Sequence, residues 1–229
     1  GEFRHYGMER GDFYGGWSGN RKTRAGRMYS AVPWRGWVLK VTPDGEAEPI
    51  APGLRSPNGI TVDPNGEVWV TDNQGDWLGT SKLFNVRKDR FYGHPASLAW
   101  REDWDGRNPL EVGVAELDRL RTRASVLFPQ GSMANSLTQP VFDTTGGKFG
   151  PFAGQMLIGE MNEPKIVRVM PDEVDGEFQG AVTAFYSNAG LDRGNNRMVF
   201  DDAGSLWVGQ THLSWAGGEG LQRIRWNGE

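Results

Sequence analysis

The chain contains no cysteine. That excludes disulfide bridges, haem attachment through Cys-x-x-Cys-His, thiolate-held zinc and a cysteine nucleophile. It fits the cytosol and a thiol-avoiding bacterial envelope equally well. Histidine is scarce, with three residues. An excess of positive charge is also missing, since 25 Lys and Arg stand against 29 Asp and Glu for a net charge of −4. No part of the chain looks built to hold a phosphate backbone, and no nucleic-acid partner is expected. Nowhere is there an apolar run of about 18 residues, the length a membrane-spanning helix needs.

Glycine and aromatic residues are plentiful. The 229 residues include 33 Gly, 13 Pro, 10 Trp, 11 Phe and 5 Tyr. That composition implies frequent turns and an aromatic core, and the length suffices for a single-domain core. The most informative pattern is a repeat. NGITVDPNGEVWVTDNQGDW begins at Asn58, and NRMVFDDAGSLWVGQTHLSW begins at Asn196. Without a gap, the two match at Asn58/Asn196, Asp63/Asp201, Gly66/Gly204, Trp69/Trp207, Val70/Val208, Trp77/Trp215 and Leu83/Leu221. Within each copy, apolar and polar residues alternate as in a strand, around a turn such as Asp63-Pro64-Asn65-Gly66. An offset of 138 residues divides into three units of about 46, a propeller-blade period. The expectation is an all-β propeller with these hairpins in equivalent places three blades apart. Further strands are expected at Trp37 to Val41, Met156 to Ile158, Ile166 to Val169 before a Pro171-Asp172 turn, and Gln222 to Trp226. Residues 1–30 read as an irregular segment without a signal-peptide pattern, and 31–229 as blades. Residues 101–135 read as a loop or short helical insertion, with Arg119, Arg121 and Arg123 pairing with Glu111, Glu116 and Asp118. At about 46 residues per blade the chain is expected to be part of a longer protein.

Candidate chemistry gathers in Leu54 to Gly59, Thr71 to Trp77 and Phe91 to Ser97. Arg55 offers a planar fork for a carboxylate or quinone oxygen, or serves a structural ion pair. Asp72, Asn73, Gly75 and Asp76 are hard oxygen donors of the kind calcium takes, or simply close a turn. His94 suits a base, a ligand or a buried structural group. Strand ends on one face of a ring converge, so Arg55, Asn58, Asn73, Gly75, Asp76 and His94 are expected at the channel mouth. Asn195, Asn196 and Arg197 are expected to join them from the opposite side.

These segments resemble the six-bladed propellers of the soluble quinoprotein glucose dehydrogenase and L-sorbosone dehydrogenase superfamily, and its bacterial envelope members in particular. The carriers are G-L-R-S-P-N-G-I, N-Q-G-D and F-Y-G-H-P, with GGKFGPFAGQMLIGE, GNNRMVF, LWVGQT and GLQRIRW further on. The likeness covers roughly residues 37–100 and 140–226. It implies a periplasmic or extracellular protein that oxidises a sugar or aldehyde with pyrroloquinoline quinone and calcium, beside a cytochrome c or envelope partner. It further implies quinone binding by Arg55, Asn58, Asn73, Asn196 and Arg197 and calcium held by Gly75 and Asp76. The family's catalytic histidine lies upstream of the aligned segments, with His5 as a stand-in there, and His94 is the catalytic candidate that the residues themselves offer. The family's cofactor lysine falls near Asn162, and its calcium-binding Pro is replaced by Asp76. Two other functions stay open: a propeller that stacks sugars on Trp17, Trp34, Trp77, Trp104 and Trp215 without redox chemistry, and a docking subunit of an envelope assembly.

Overall fold

A computed structural model of the protein describes residues 34–75, 78–212 and 219–228. The expectations for residues 1–30, Asp76, Trp77 and Trp215 lie outside the described residues. The chain divides into two compact units.

The first unit takes 34–56, 75, 78–79 and 86–123 of the described residues. Strand β1 (Trp37–Val41) pairs antiparallel with β2 (Ala47–Pro52). The turn between them closes on Gly45 at φ +87°, with Gly45 N–H donating to the Thr42 carbonyl at 3.0 Å. A 3-10 helix at Pro95–Trp100 is wholly buried, and helix α1 spans Val114–Leu120. Helix α1 carries Glu116 in its first turn and Arg119 in its last, as the helix dipole favours. Its one buried residue, Leu117, packs with Phe91, Leu98 and Val112. Of the arginine-acid pairing expected here, Arg121 meets Asp118 at 2.6 Å, while Glu116 is bridged by Arg107.

The second unit holds three successive antiparallel sheets, each ordered as the chain runs. The first is β3 (Pro57–Val62), β4 (Val68–Asp72), β5 (Ser81–Val86, its last residue falling in the first unit) and β6 (Val126–Phe128). The second is β7 (Leu137–Phe142), β8 (Met156–Glu160), β9 (Lys165–Val174) and β10 (Glu177–Ser187). The third is β11 (Asn195–Phe200), β12 (Leu206–Gln210) and β13 (Gly220–Ile224). Four-stranded meanders in series are propeller blades. Apolar side chains fill the space between them. Trp69, Leu83 and Phe128 of the first sheet meet Met156, Ile158, Val167 and Val169 of the second. Leu157 and Ile166 of the second meet Met198, Leu206 and Val208 of the third.

The repeated residues have a structural purpose. Asp63 Oδ1 accepts the N–H groups of Asn65 (2.8 Å) and Glu67 (2.9 Å), and its Oδ2 accepts the Trp69 indole at 3.3 Å. Asp201 does the same for Ser205 N–H (2.8 Å) and the Trp207 indole (2.8 Å). The Trp207 indole N–H, followed by the Ser205 amide, holds the Asp201 carboxyl below its ordinary pKa. Each aspartate therefore ties a hairpin turn to the tryptophan of the returning strand. The matched glycines adopt φ +90° at Gly66 and φ +84° at Gly204, which the turn requires.

Three sequence expectations are corrected. The two hairpins lie in the first and third sheets, two blades apart rather than three. The middle copy ends its first strand at Phe142 before Asp143, whose Oδ1 accepts Thr145 N–H at 2.9 Å. It escapes the repeat pattern because its turn runs on to Gln155 before β8 begins. The first blade is stretched by the helical segment between β5 and β6, so two blades span what three of ordinary length would. The insertion does not extend over all of 101–135, because Val126–Phe128 is the edge strand β6 paired to β5. Finally, β9 runs through Pro171 and Asp172 to Val174, and the turn falls at Asp175-Gly176 (φ +51° and +79°). Two successive positive φ values favour Asp-Gly and match the strand twist.

The first strands of neighbouring sheets touch closely. A Cβ on Gly59 would lie 2.3 Å from the Thr138 carbonyl oxygen and 2.4 Å from Gln139 Cα, both backbone atoms. Thr71 Oγ1 donates to the same Thr138 carbonyl at 2.7 Å. Gly59→Ala should therefore push β3 off β7 and cost about 1–3 kcal/mol by overpacking. A denaturant midpoint unchanged from wild type would show that the strands can part freely.

Candidate functional site

In the second unit, polar side chains gather where first strands begin and second strands end. Asn58 in β3 and Asn196 in β11, 138 residues apart, bond directly: Asn58 Nδ2 donates to Asn196 Oδ1 at 3.2 Å. Arg197 donates one guanidinium N–H group to the same Oδ1 at 2.7 Å and to the Asn196 carbonyl at 2.9 Å. The geometry thus brings Asn58, Asn196 and Arg197 together. Thr138 holds the corresponding place in β7, five residues before Asp143 as Asn58 is before Asp63. Its hydroxyl is fully buried, with no hydrogen-bond partner among the described residues.

The second strands end at Asp72, Glu160 and Gln210. Glu160 is fully buried. Its Oε1 accepts Ser136 N–H at 2.7 Å and Asn135 N–H at 3.2 Å, and Oε2 accepts Glu163 N–H, with Asn162 N–H also bonding the carboxylate. Burial raises the carboxyl pKa above its ordinary value, and the four amides oppose that shift. Asn195 is also structural. Its Nδ2 reaches the Glu160 and Lys165 carbonyls at 3.4 Å each, and its Oδ1 accepts Gln210 Nε2 at 3.2 Å. Ser136 Oγ, Asn162 Oδ1 and Asn73 Oδ1 are buried without hydrogen-bond partners among the described residues. The Asn73 carbonyl accepts Lys82 Nζ at 3.1 Å. Neutral acceptors and hydroxyls dominate this end of the unit.

The first unit holds the cationic candidates. Arg55 is half-buried, and its Cδ lies 3.6 Å from where a Cβ on Gly75 would stand. The proposed quinone ligand and a proposed calcium ligand are therefore neighbours. Arg35 stands close enough to Arg55 that burial, and then the Arg55 charge, lower its pKa. His94 is 6% exposed. Its N–H donates to the Gly53 carbonyl at 2.8 Å, and its own carbonyl accepts the Ser97 hydroxyl at 2.8 Å, ahead of the buried 3-10 helix.

Sequence reasoning missed Thr138, Glu160, Gln210 and Arg35. For the first three a signal existed. Each second strand is five residues long, opening on three apolar residues and closing on Asp, Glu or Gln, and Thr138 is found by counting back from Asp143. Arg35, beside Trp34 in a glycine-tipped turn, carried none.

Comparison with known proteins agrees with this architecture. The NHL repeat family matches residues 54–74, which cover β3 and β4. An oxidoreductase of the glucose dehydrogenase type from Thermus thermophilus superposes with a TM-score of 0.53 at 17% identity, over 82% of this chain and 54% of its own. The fold is that of a β-propeller. The propeller also superposes on the quinone-bound aldose sugar dehydrogenase of Streptomyces coelicolor (TM-score 0.51, 13% identity, 83% of this chain, 52% of that one). The pyrroloquinoline quinone domain of Coprinopsis cinerea pyranose dehydrogenase gives 0.51 at 14% identity, over 78% of this chain and 56% of that one. The propeller thus spans about half the length of these relatives. No curated protein sequence matches it.

Proposed function

We propose that the propeller belongs to an exported sugar or aldehyde dehydrogenase-like protein and takes pyrroloquinoline quinone beside Arg55. The observation that carries this is the Arg35–Arg55 pair with Gly75 against the Arg55 stem. Two partly buried guanidinium groups near one another offer planar donor forks of the kind that bind carboxylates. Such a pair fits the carboxylates of the quinone. The Gly75 carbonyl and Asp76 would hold calcium, a cation that takes oxygen donors. The quinone, when bound, supplies a hydride acceptor for the C–H bond of a sugar hydroxyl carbon. His94 would take the hydroxyl proton, with its backbone fixed at both N–H and carbonyl. A cytochrome c or another envelope protein would receive the electrons.

Adding calcium and quinone to the purified chain should give a bound-quinone absorbance band and dye reduction with sugars or aldehydes. Arg55→Ala should abolish that band while changing stability by no more than about 1 kcal/mol, as for a functional residue away from the core. A large stability loss with the band intact would make Arg55 structural and sink the proposal. The intact gene should carry an export signal; a cytosolic product would refute the localisation.

One observation favours a second reading, sugar binding without redox chemistry. Asn162, at the resemblance's cofactor-lysine position, presents a buried amide oxygen in place of a cation. Sugar binding by calorimetry without turnover in the quinone-loaded protein would select it.

A further inference from the structure

A cavity of about 490 Å³ lies in the first unit, apart from Arg55 and His94, and two indoles, Trp34 and Trp37, form one wall. Their rings meet edge to face, with centroids 5.2 Å apart. Trp37 is anchored, because its indole N–H donates to the Ser97 carbonyl at 3.0 Å. Trp34 is the unusual residue. It adopts φ +61°, a left-handed conformation that is an outlier for so bulky a side chain. The tight turn it opens is closed by Trp37 N–H donating to the Trp34 carbonyl at 3.1 Å. The turn is pinned further by the Gly36 carbonyl, which accepts the Gly53 and Leu54 N–H groups at 3.0 Å each. A bulky residue held in that conformation is a candidate functional position. The strain presents the Trp34 ring, 38% exposed, to the cavity.

The cavity is also lined by charged residues, four of them paired. Lys88 bridges Glu48 at 2.6 Å, and Arg101 bridges Asp103 at 2.5 Å. Asp89 and Glu102 also line it, so acids outnumber bases by four to two. An aromatic platform facing paired carboxylates suits a ring that is apolar on its face and rich in hydroxyl donors at its edge. An acidic ligand would meet the carboxylate excess. The volume admits a short oligosaccharide rather than a single small ion.

We propose that the Trp34 cavity is a binding site for a neutral oligosaccharide, separate from the proposed quinone site and independent of it. Trp34 stacks on one sugar face, while Glu48, Lys88, Asp89 and Asp103 bond its hydroxyls. Such a site holds a polymeric or cell-wall glycan to the propeller without acting on it.

The test is calorimetric titration of the purified chain with xylotriose, cellotriose and maltotriose, and with trigalacturonate as the acidic control. At least one neutral trisaccharide should bind, with trigalacturonate weaker by about tenfold or more. Trp34→Ala should weaken the neutral sugar about tenfold, the loss of one stacking contact. Lys88→Met, on an exposed residue, should weaken it too without altering thermal stability. No binding by any neutral trisaccharide, or equal binding by wild type and Trp34→Ala, overturns the site. The quinone absorbance band is expected in Trp34→Ala as in wild type; its loss there would show that the two sites are one and refute their independence.

Discussion

Trp69→Ala should destabilise the propeller by about 3–5 kcal/mol, the cost of deleting a large buried aromatic side chain. The indole is 1% exposed and sits in the core shared by the first two sheets. It meets Phe178 and Phe142 edge to face, with centroids 5.0 and 6.2 Å away. Truncation leaves a cavity walled by strands that are fixed by their own ladders and cannot collapse into it. It also removes the donor that Asp63 Oδ2 accepts. Trp207, the matching residue in the third sheet, is only half-buried and has Arg223 over its ring at 5.3 Å. Trp207→Ala should therefore cost clearly less than Trp69→Ala. Guanidinium unfolding of both variants measures the difference. Equal losses would mean that the shared turn geometry, rather than burial, sets the value of the repeated tryptophan.

That contrast shows what the sequence could reveal. The Asp-x-x-Gly turn and the tryptophan after it are local chemistry, so Asp63 and Asp201 disclosed two blades. The number of blades between them depends on how long each blade is. Residues 95–123 lengthen the first blade by a helical segment that obeys no strand period. The Asp143 turn keeps the Gly marker at Gly146 but runs on to Gln155, and no Trp follows it in β8, so the middle blade is longer and lacks the second marker. Counting residues therefore misplaced the ring position while finding the hairpins. At the site, Asn58 and Asn196 were legible because they recur at a fixed distance before the aspartates. Thr138 was hidden because the middle blade carries a different residue type at that place. Glu160 was hidden because a buried carboxylate is recognisable only from the amides folded round it, and those come from two separate loops. The Pro171-Asp172 turn was misread because a proline normally ends a strand, whereas here Pro171 lies within the β9–β10 pairing opposite Gly180. Strand β10 is the outermost of its sheet, and near an edge a missing N–H is tolerated.

Glu160→Ala should be the most damaging change at the polar end of the second unit, at about 3 kcal/mol or more. The carboxylate gathers Asn135 and Ser136 before β7 with Asn162 and Glu163 after β8. Removing it strands four amide N–H groups, one of them at the buried residue Ser136. The Ser136–Met161 pairing, in which Met161 N–H donates to the Ser136 carbonyl at 3.0 Å, should loosen with it. The loss should depend on pH in a definite sense. The folded-state pKa of Glu160 is raised, chiefly by burial. A raised carboxyl binds its proton more tightly folded than unfolded, so its contribution is complete below the unfolded value of about 4.3. The contribution then declines as pH rises through the folded value. Wild type minus Glu160→Ala stability should accordingly be larger at about pH 4 than at about pH 7, while remaining positive at both because the amides are served in either state. Urea unfolding at the two pH values decides the matter. A difference that grows toward neutral pH would mean the four amides outweigh burial and that Glu160 is held as a carboxylate. A loss under about 1 kcal/mol at both would remove Glu160 as the organiser of this end of the blades.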